Sequence, residues 1–394
     1  MHPKYPGLIA RRRTPAWLVI ACALIVGALL LPGRSEARWS GRCAAGCTPG
    51  GIPVLAWHNF KDQVTPQDGT LTESFAAFEE MIVFLAENGF RSVFPEEVRL
   101  GADGAARQVI LTFDDGTRGQ LRAAEILERH GFRGIFFVIP TRTAGGDPRF
   151  LNADDLERLA RAGHRVAAHG YEHRSLPGSG TEVAASLVRS TRLLGQGAQP
   201  TARYDFAFPF GHYTAEIAEA VAGGYRYLHT VNPGYWDGRT ALLPRMLIMS
   251  GVDPALFRRY VLAGERYRPT LEPLTPDGAV AGRIAFRAHG PVPDALELFA
   301  ITADAAGRSY VSQPLGDLAR VAGDTVWVDL AGYMARHYPP GRAVISYALV
   351  TREDGEMRYA SPGLLNWTGD PIDAFRPAPR PARADSAAPA PGAH

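Results

Sequence analysis

Two carboxylates stand side by side where an apolar run of the chain ends. Asp114 and Asp115 follow the strand-like residues 109–113 and precede Gly116. Adjacent carboxylates at a strand end point in different directions, so one can bind a metal ion while the other accepts a proton. Asp-Asp-Gly is also a common turn sequence, and taken alone the motif fits that structural role better.

Two histidines four residues apart follow a second apolar run. His169 and His173 come directly after residues 165–168. Two imidazoles at this spacing can face one metal ion. With one carboxylate they would make a three-ligand site with open positions, which suits zinc, cobalt or nickel. The alternative is a surface loop that happens to contain two histidines.

Two further strand ends carry groups that could take part in a reaction. Residues 206–208 lead into Pro209, Phe210 and Gly211, a turn that can present a backbone N–H to developing negative charge. A tight turn with a buried aromatic ring explains the same residues, and in isolation it explains them better. His58 ends the first apolar run, and a lone histidine is more often structural than catalytic.

One framework could bring these four strand ends together. Apolar strand-like runs alternate with helix-like patterns over residues 51–268, among them a predicted helix at 152–162 with Asn152 as its cap. This alternation predicts an α/β fold, a distorted (β/α) barrel of parallel strands wrapped by helices. Catalytic groups of such barrels lie at the C-terminal ends of the strands, so we expect the four strand ends to share one face.

The chain after the predicted barrel changes character twice. Residues 275–368 contain strand-like runs separated by turn clusters, which predicts a small all-β, sandwich-like accessory domain. Residues 369–394 are rich in proline and alanine and have almost no large apolar side chains, so this tail is predicted to be disordered.

Residues 1–50 have the pattern of an export segment and linker. Three arginines at 11–13 precede an uncharged apolar run at 16–31, which is typical of a signal peptide or an N-terminal membrane anchor. Cleavage after Ala37 and retention as an uncleaved anchor are both open. The protein is therefore expected to be exported to the periplasm or cell envelope, either free or anchored in the inner membrane.

Charge and cysteine content add two constraints. The 394-residue chain has a formal net charge of +2, so no strong overall field favours nucleic acid as a partner. Of the three cysteines, Cys43 and Cys47 are close enough in sequence to form a small loop in an oxidising compartment.

The order and spacing of these motifs resemble the polysaccharide deacetylase family, also called the NodB-homology domain or carbohydrate esterase family four. The resemblance covers residues 51–250. It implies that Asp114 is the catalytic base. It also implies that Asp115, His169 and His173 are the ligands of a divalent metal, zinc, with cobalt and nickel as alternatives.

The chain departs from the family's pattern at two positions. The family often has Ser or Thr after its first metal-binding histidine, where this chain has Gly170. Its third motif often begins with an arginine that holds the base, where this chain has Ala207. Arg245, in a later Leu-Pro-Arg segment, is the candidate that orients the base instead.

One branch of the family, which acts on biofilm poly-N-acetylglucosamine, resembles this chain more closely. Its members have a histidine after the first strand, a Pro-aromatic-Gly motif without arginine and a late Pro-Arg segment. This resemblance implies that His58 is the catalytic acid, supplied by the N-terminal strand.

The combined prediction is a hydrolase that removes N-acetyl groups from an extracellular or envelope amino-sugar polysaccharide similar to poly-N-acetylglucosamine, with release of acetate. The metal and the Phe210 backbone N–H would stabilise the oxyanion, with Pro209 and Gly211 shaping the turn. Trp236, next to Tyr235, could line a groove for sugar rings, although packing in the core fits it equally well.

Other functions remain open from the sequence. The substrate could instead be peptidoglycan, chitin oligomers or an O-acetylated polymer. A non-catalytic carbohydrate-binding or scaffold protein on a deacetylase fold is the alternative outside enzymes. The expected partners are an acetylated amino-sugar polymer, a membrane through the N-terminal segment, and polysaccharide export or synthesis machinery.

Overall fold

The computed structural model describes most of the chain beyond residue 50. The described residues are 51–99, 107–174, 180–194, 204–213, 215–232, 234–236, 238, 241–264, 271–273, 282–288, 292, 295–304, 307–338, 340, 343–353, 356–359 and 364–365. The predicted export segment, with its cleavage site at Ala37 and with Cys43 and Cys47, lies outside the described residues. The predicted disordered tail does too.

Strands and helices alternate in the first part of the chain. Its strands are β1 (Val54–Trp57), β2 (Asn59–Lys61), β3 (Thr72–Ser74), β4 (Phe90–Ser92), β5 (Arg107–Phe113), β6 (Ile135–Val138), β7 (Arg165–Ala168), β8 (Asp205–Ala207), β9 (Tyr227–His229), β10 (Leu242–Leu243) and β11 (Met246–Leu247). Its helices are α1 (Phe75–Glu87), α2 (Gln120–Arg129), α3 (Pro140–Ala144), α4 (Ala153–Arg161), α5 (Gly180–Leu194), α6 (Ala215–Ala222) and α7 (Pro254–Ala263).

Nine of these strands form one sheet in which every pairing is parallel. The strand order is β10-β9-β8-β7-β6-β5-β1-β11, and β4 pairs with β5. Only Pro244 and Arg245 separate the two edge strands β10 and β11, so the sheet must curl until its edges meet. This arrangement confirms the predicted α/β class and the distorted (β/α) barrel.

Burial explains why the strand sequences are apolar without a break. All four residues of β6, Ile-Phe-Phe-Val, are buried, and so are all four residues of β7. Parallel strands covered on both faces need apolar side chains on both faces, which removes the alternation of half-exposed strands. Helix α4 begins at a polar cap, as predicted: Asn152 Oδ1 accepts a bond from the Asp155 N–H at 3.0 Å, and Asp155 Oδ2 accepts one from the Asn152 N–H at 2.9 Å.

The second part of the chain forms two antiparallel sheets and one helix. The first sheet has the order β12-β13-β17-β16, and the second has the order β15-β14-β18-β19 with β20 paired to β18. The elements are β12 (Leu271–Pro273), β13 (Arg283–Ala288), β14 (Leu296–Asp304), β15 (Gly307–Pro314), β16 (Ala319–Ala322), β17 (Thr325–Asp329), α8 (Leu330–His337), β18 (Ala343–Glu353), β19 (Glu356–Tyr359) and β20 (Leu364–Leu365).

A separate apolar cluster fills the space between these two sheets. Phe286 and Val326 come from the first sheet, and Leu298 and Leu349 from the second, all with no exposed surface. Two sheets with a shared apolar core make a sandwich, in agreement with the predicted small all-β architecture.

The two parts of the chain also touch. Phe299 on β14 and Val350 on β18 pack against the apolar cluster of the parallel sheet. The domain boundaries themselves, 51–268 and 275–368, stay predictions. Among the described residues, no helix is long and apolar enough to cross a membrane.

Candidate active site

The predicted site residues lie at the carboxyl ends of neighbouring strands. Trp57 on β1 is paired with Phe113 on β5, so the next residues, His58 and Asp114, leave the sheet side by side. His169 leaves β7 at the same end, where its backbone N–H donates to the Val138 carbonyl at 2.9 Å. The parallel sheet therefore brings these strand ends to one face.

Three side chains form a compact group of possible metal ligands. The Asp115 Oδ1 atom lies 3.1 Å from His173 Nε2 and 3.5 Å from His169 Nε2. Their ligand atoms all lie within 4.8 Å of one another, and this is the one such group among the described residues. Asp115 Oδ1 is buried without a hydrogen-bond partner, so it remains available to a cation.

The protonation state of His169 also suits a cation. Its Nδ1 lies 2.9 Å from the Ala207 carbonyl oxygen, which can only accept, so Nδ1 carries the hydrogen and Nε2 keeps its lone pair. Burial lowers the pKa of His169 to about 4, and this outweighs the raising effect of Asp114. Neutral imidazole nitrogens and one carboxylate match a divalent transition-metal ion.

Backbone strain is concentrated at this site. Within the described part of the chain, three residues other than glycine have positive φ: Asp115 at 78°, His173 at 54° and Phe210 at 61°. Each such conformation costs about 1–2 kcal/mol for an L-residue, so it persists where surrounding structure enforces it. Two of the three are possible metal ligands, and the Phe210 ring lies 4.2 Å from the His173 ring.

Asp114 is fixed by Arg245. The guanidinium donates from Nη1 to Asp114 Oδ1 and from Nη2 to Oδ2, both at 2.7 Å. Burial raises the pKa of Asp114, but the charge of Arg245, helped by His169, outweighs it and holds that pKa well below its usual range. The structure thus brings Arg245 to the carboxylate that it was predicted to orient.

Arg245 is itself held from several sides. It has no exposed surface, and its Nε donates to the Thr230 carbonyl at 2.6 Å. Nη1 also donates to Thr112 Oγ1 at 3.2 Å. Arg245 is at the junction of β10 and β11, where the barrel closes. It supplies the positive charge that an arginine at position 207 would provide in the family's usual third motif, where this chain has Ala207.

His58 lies close to the same carboxylate. Its Nε2 is 3.8 Å from Asp114 Oδ2, and the residue is 9% exposed. The predicted acid and base are therefore neighbours, next to the possible metal ligands.

The turn after β8 contacts this group directly. Pro209, Phe210 and Gly211 form a short 3-10 turn in which Phe210 is left-handed. Gly170 has φ 68°, and a Cβ there would meet Pro209 Cγ at 2.8 Å. The chain therefore has no room for the Ser or Thr that the family often carries at this position.

Trp236 lies away from any open surface. It is 2% exposed, its ring packs edge-on against Tyr227 at 5.8 Å, and its backbone bridges to Ile52. Tyr235 is 4% exposed and its hydroxyl donates to the Tyr260 carbonyl. Of the two roles that the sequence left open, the structure favours core packing over a sugar-binding groove.

Comparison with known proteins now adds to this geometry. Residues 101–228 match the family model described as polysaccharide deacetylase. The matched segment contains Asp114, Asp115, His169 and His173, so this part of the chain is similar to polysaccharide deacetylases. The similarity supports a hydrolase of carbon–nitrogen bonds other than peptide bonds that acts on a polysaccharide. No curated protein matches the chain.

Several solved structures resemble this chain. The Streptococcus pyogenes deacetylase PplD in complex with acetate is 22% identical, with a TM-score of 0.47, over 55% of this chain and 99% of that one. IcaB from Ammonifex degensii is 22% identical, with a TM-score of 0.47, over 55% of this chain and 98% of that one. The BpsB deacetylase domain from Bordetella bronchiseptica is 17% identical, with a TM-score of 0.42, over 51% of this chain and 97% of that one.

The candidate site also contains residues that sequence patterns did not single out. The Ala207 carbonyl fixes the His169 tautomer, and the Thr230 carbonyl holds Arg245. Gln120 donates to the carbonyls of both His58 and Asp114. Backbone carbonyls leave no trace in a sequence, and one glutamine at a helix start matches no motif.

Proposed function

We propose that this chain is a metal-dependent deacetylase of an extracellular amino-sugar polymer similar to poly-N-acetylglucosamine. The observation that carries the proposal is the 3.8 Å separation of His58 Nε2 and Asp114 Oδ2 at the strand ends that also carry Asp115, His169 and His173. An acid, a base and a ligand set at one strand end are what amide hydrolysis requires.

The ligand set suits zinc, with cobalt or nickel as alternatives. A divalent ion held by Asp115, His169 and His173 would polarise the acetyl carbonyl and lower the pKa of a water molecule. Asp114 accepts the proton of the attacking water. Arg245 keeps Asp114 ionised and in one orientation, so that the base is ready at neutral pH.

Cleavage of the amide then needs a proton on the departing nitrogen. His58 Nε2 donates this proton to the nitrogen of the sugar, which is a poor leaving group until it is protonated. The left-handed turn at Phe210 directs its backbone N–H toward the developing oxyanion, with Pro209 and Gly211 fixing the turn. The reaction consumes one water molecule and forms one acetate and one free amine.

The polymer and the location rest on the sequence. The apolar run at 16–31 after the arginines favours export, which places the enzyme in the periplasm or cell envelope, free or anchored through residues 1–50. Ala207 before a Pro-aromatic-Gly motif without arginine, the histidine at 58 and the late Arg245 resemble the branch that acts on poly-N-acetylglucosamine. Polysaccharide synthesis or export machinery is the expected partner.

Acetate release from acetylated poly-glucosamine by the 38–394 fragment tests the proposal. We expect a chelator to abolish acetate release and zinc or cobalt to restore it. The Asp115→Ala variant should release no acetate at any metal concentration. Release from peptidoglycan, chitin oligomers or an O-acetylated polymer alone would move the assignment to that substrate. No release and no bound metal would favour the non-catalytic carbohydrate-binding alternative.

A further inference from the structure

Gln120 connects the two strand ends that carry the proposed acid and base. It is the first residue of α2 and has no exposed surface. Its Nε2 donates to the His58 carbonyl at 2.8 Å and to the Asp114 carbonyl at 2.5 Å. One amide group therefore fixes the spacing of the two main chains at the point where both leave the sheet.

The two residues that it connects depend on it unequally. The Asp114 side chain is held by both guanidinium nitrogens of Arg245, and its N–H donates to the Trp57 carbonyl at 2.8 Å. His58 has no comparable support for its ring. Its Nδ1 has no hydrogen-bond partner in the described structure, and its Nε2 is 3.8 Å from Asp114.

The position of the His58 ring therefore follows from its main chain. The His58 carbonyl accepts two bonds, from Gln120 and from Thr117 Oγ1 at 3.2 Å. Gln120 provides the shorter of these. Loss of this bond would leave Thr117 as the side chain that bonds the His58 carbonyl, while the Asp114 side chain would still be held by Arg245.

Gln120 also destabilises the fold in a way that an apolar residue at this position would not. Its Oε1 is buried without a hydrogen-bond partner among the described residues, and a buried unpaired acceptor destabilises a fold. Leucine has nearly the same volume and leaves no such atom. Glutamine at this position is thus explained by the two bonds that its Nε2 donates.

We infer that Gln120 is the positioning residue for the general acid, and that it acts on amide cleavage through His58. The inference rests on the proposed function, in which His58 protonates the leaving amine. Both bonds that Gln120 donates go to main-chain carbonyls, so it would act through the residues that it holds. Its effect should therefore depend on how strongly the leaving group needs a proton.

Two substrates separate this role from a purely structural one. Acetylated glucosamine oligomers lose an amine, which needs the acid, whereas an aryl acetate loses a phenolate, which does not. We expect Gln120→Leu to lower kcat on the oligomer by about 10–100-fold, a part of what a general acid contributes, with KM little changed. On the aryl acetate its kcat should stay within about threefold of wild type.

Three variants complete the design. His58→Gln sets the full effect of losing the acid. Thr117→Val removes the weaker bond to the His58 carbonyl and should give the same selective loss to a smaller degree. Gln108→Leu is the matched control, since Gln108 near the other end of β5 bonds the Arg99 main chain and should leave both activities unchanged.

Equal losses on both substrates, with zinc content and thermal unfolding like wild type, would overturn the inference, as would an undiminished kcat on the oligomer. If Gln120→Leu does not fold, Thr117→Val decides by the same criterion. Failure of the proposed function is distinct, because wild type itself would then release no acetate from the acetylated glucosamine oligomer.

Discussion

Removing the charge of Arg245 should move the pH dependence of the reaction. In Arg245→Met the Asp114 carboxylate stays buried but loses its two guanidinium bonds. An uncompensated buried charge costs about 3–5 kcal/mol, which corresponds to a rise of about 2–4 units in the pKa of Asp114. The acid limb of kcat/KM should therefore move to higher pH by a similar amount.

The same substitution should also lower the stability of the fold. At neutral pH the variant should lose about 3–5 kcal/mol of unfolding free energy, because Asp114 is ionised and unpaired. The wild-type carboxyl has a depressed pKa, so its stabilising effect is lost as pH falls. The gap between variant and wild type should accordingly narrow toward acidic pH, where Asp114 takes a proton in both.

Rates measured between pH 4 and 9, with metal content checked at each pH, test this reasoning. Arg245→Lys is the control, since it keeps the charge but not the paired bonds, and its acid limb should move less. Coincident acid limbs in wild type and Arg245→Met would refute the assignment of Arg245 as the group that keeps Asp114 ionised.

Further expectations follow from individual residues. Asp114→Asn should lower kcat by about 10²–10⁴-fold without changing zinc affinity in a competition assay; wild-type kcat would remove Asp114 as the base. Gly170→Ala should unfold at a lower temperature than Gly131→Ala. Both glycines have positive φ, which costs about 1–2 kcal/mol for alanine, but only at Gly170 does a Cβ meet Pro209 at 2.8 Å. In chelated protein the pKa of His169 is lowered from 6.5 to about 4. The unfolded chain therefore binds this proton first, and stability should fall by about 3 kcal/mol as pH drops through that window. His169→Gln should flatten the dependence measured by denaturant titration, and an unchanged slope would contradict it.

The strand ends could be read from the sequence because buried parallel strands have a distinct pattern. Unbroken apolar runs identified β5 and β7, and the residues that follow them then had to share a face. The Asn152 cap could be predicted because capping is local and involves residues three positions apart.

Other features depended on contacts that cross the fold. Neither apolarity nor periodicity distinguishes a buried Trp236 from one that lines a groove, because both environments suit an aromatic ring. Gln120 acts on two carbonyls, one of them 62 residues earlier in the chain. The positive φ of Asp115 and His173 results from tertiary packing, since neither residue type requires it.

The position of Arg245 has a consequence for how the enzyme matures. Asp114 and its counter-charge are 131 residues apart in the chain, and the arginine belongs to the junction that closes the barrel. A polypeptide that is synthesised and translocated N-terminus first exposes the carboxylate long before the arginine follows. Until then a buried Asp114 carboxylate would cost about 3–5 kcal/mol, which favours an interior that stays hydrated around it. Completion of the barrel and pairing of the Asp114 carboxylate with Arg245 are therefore a single step in the maturation of the protein.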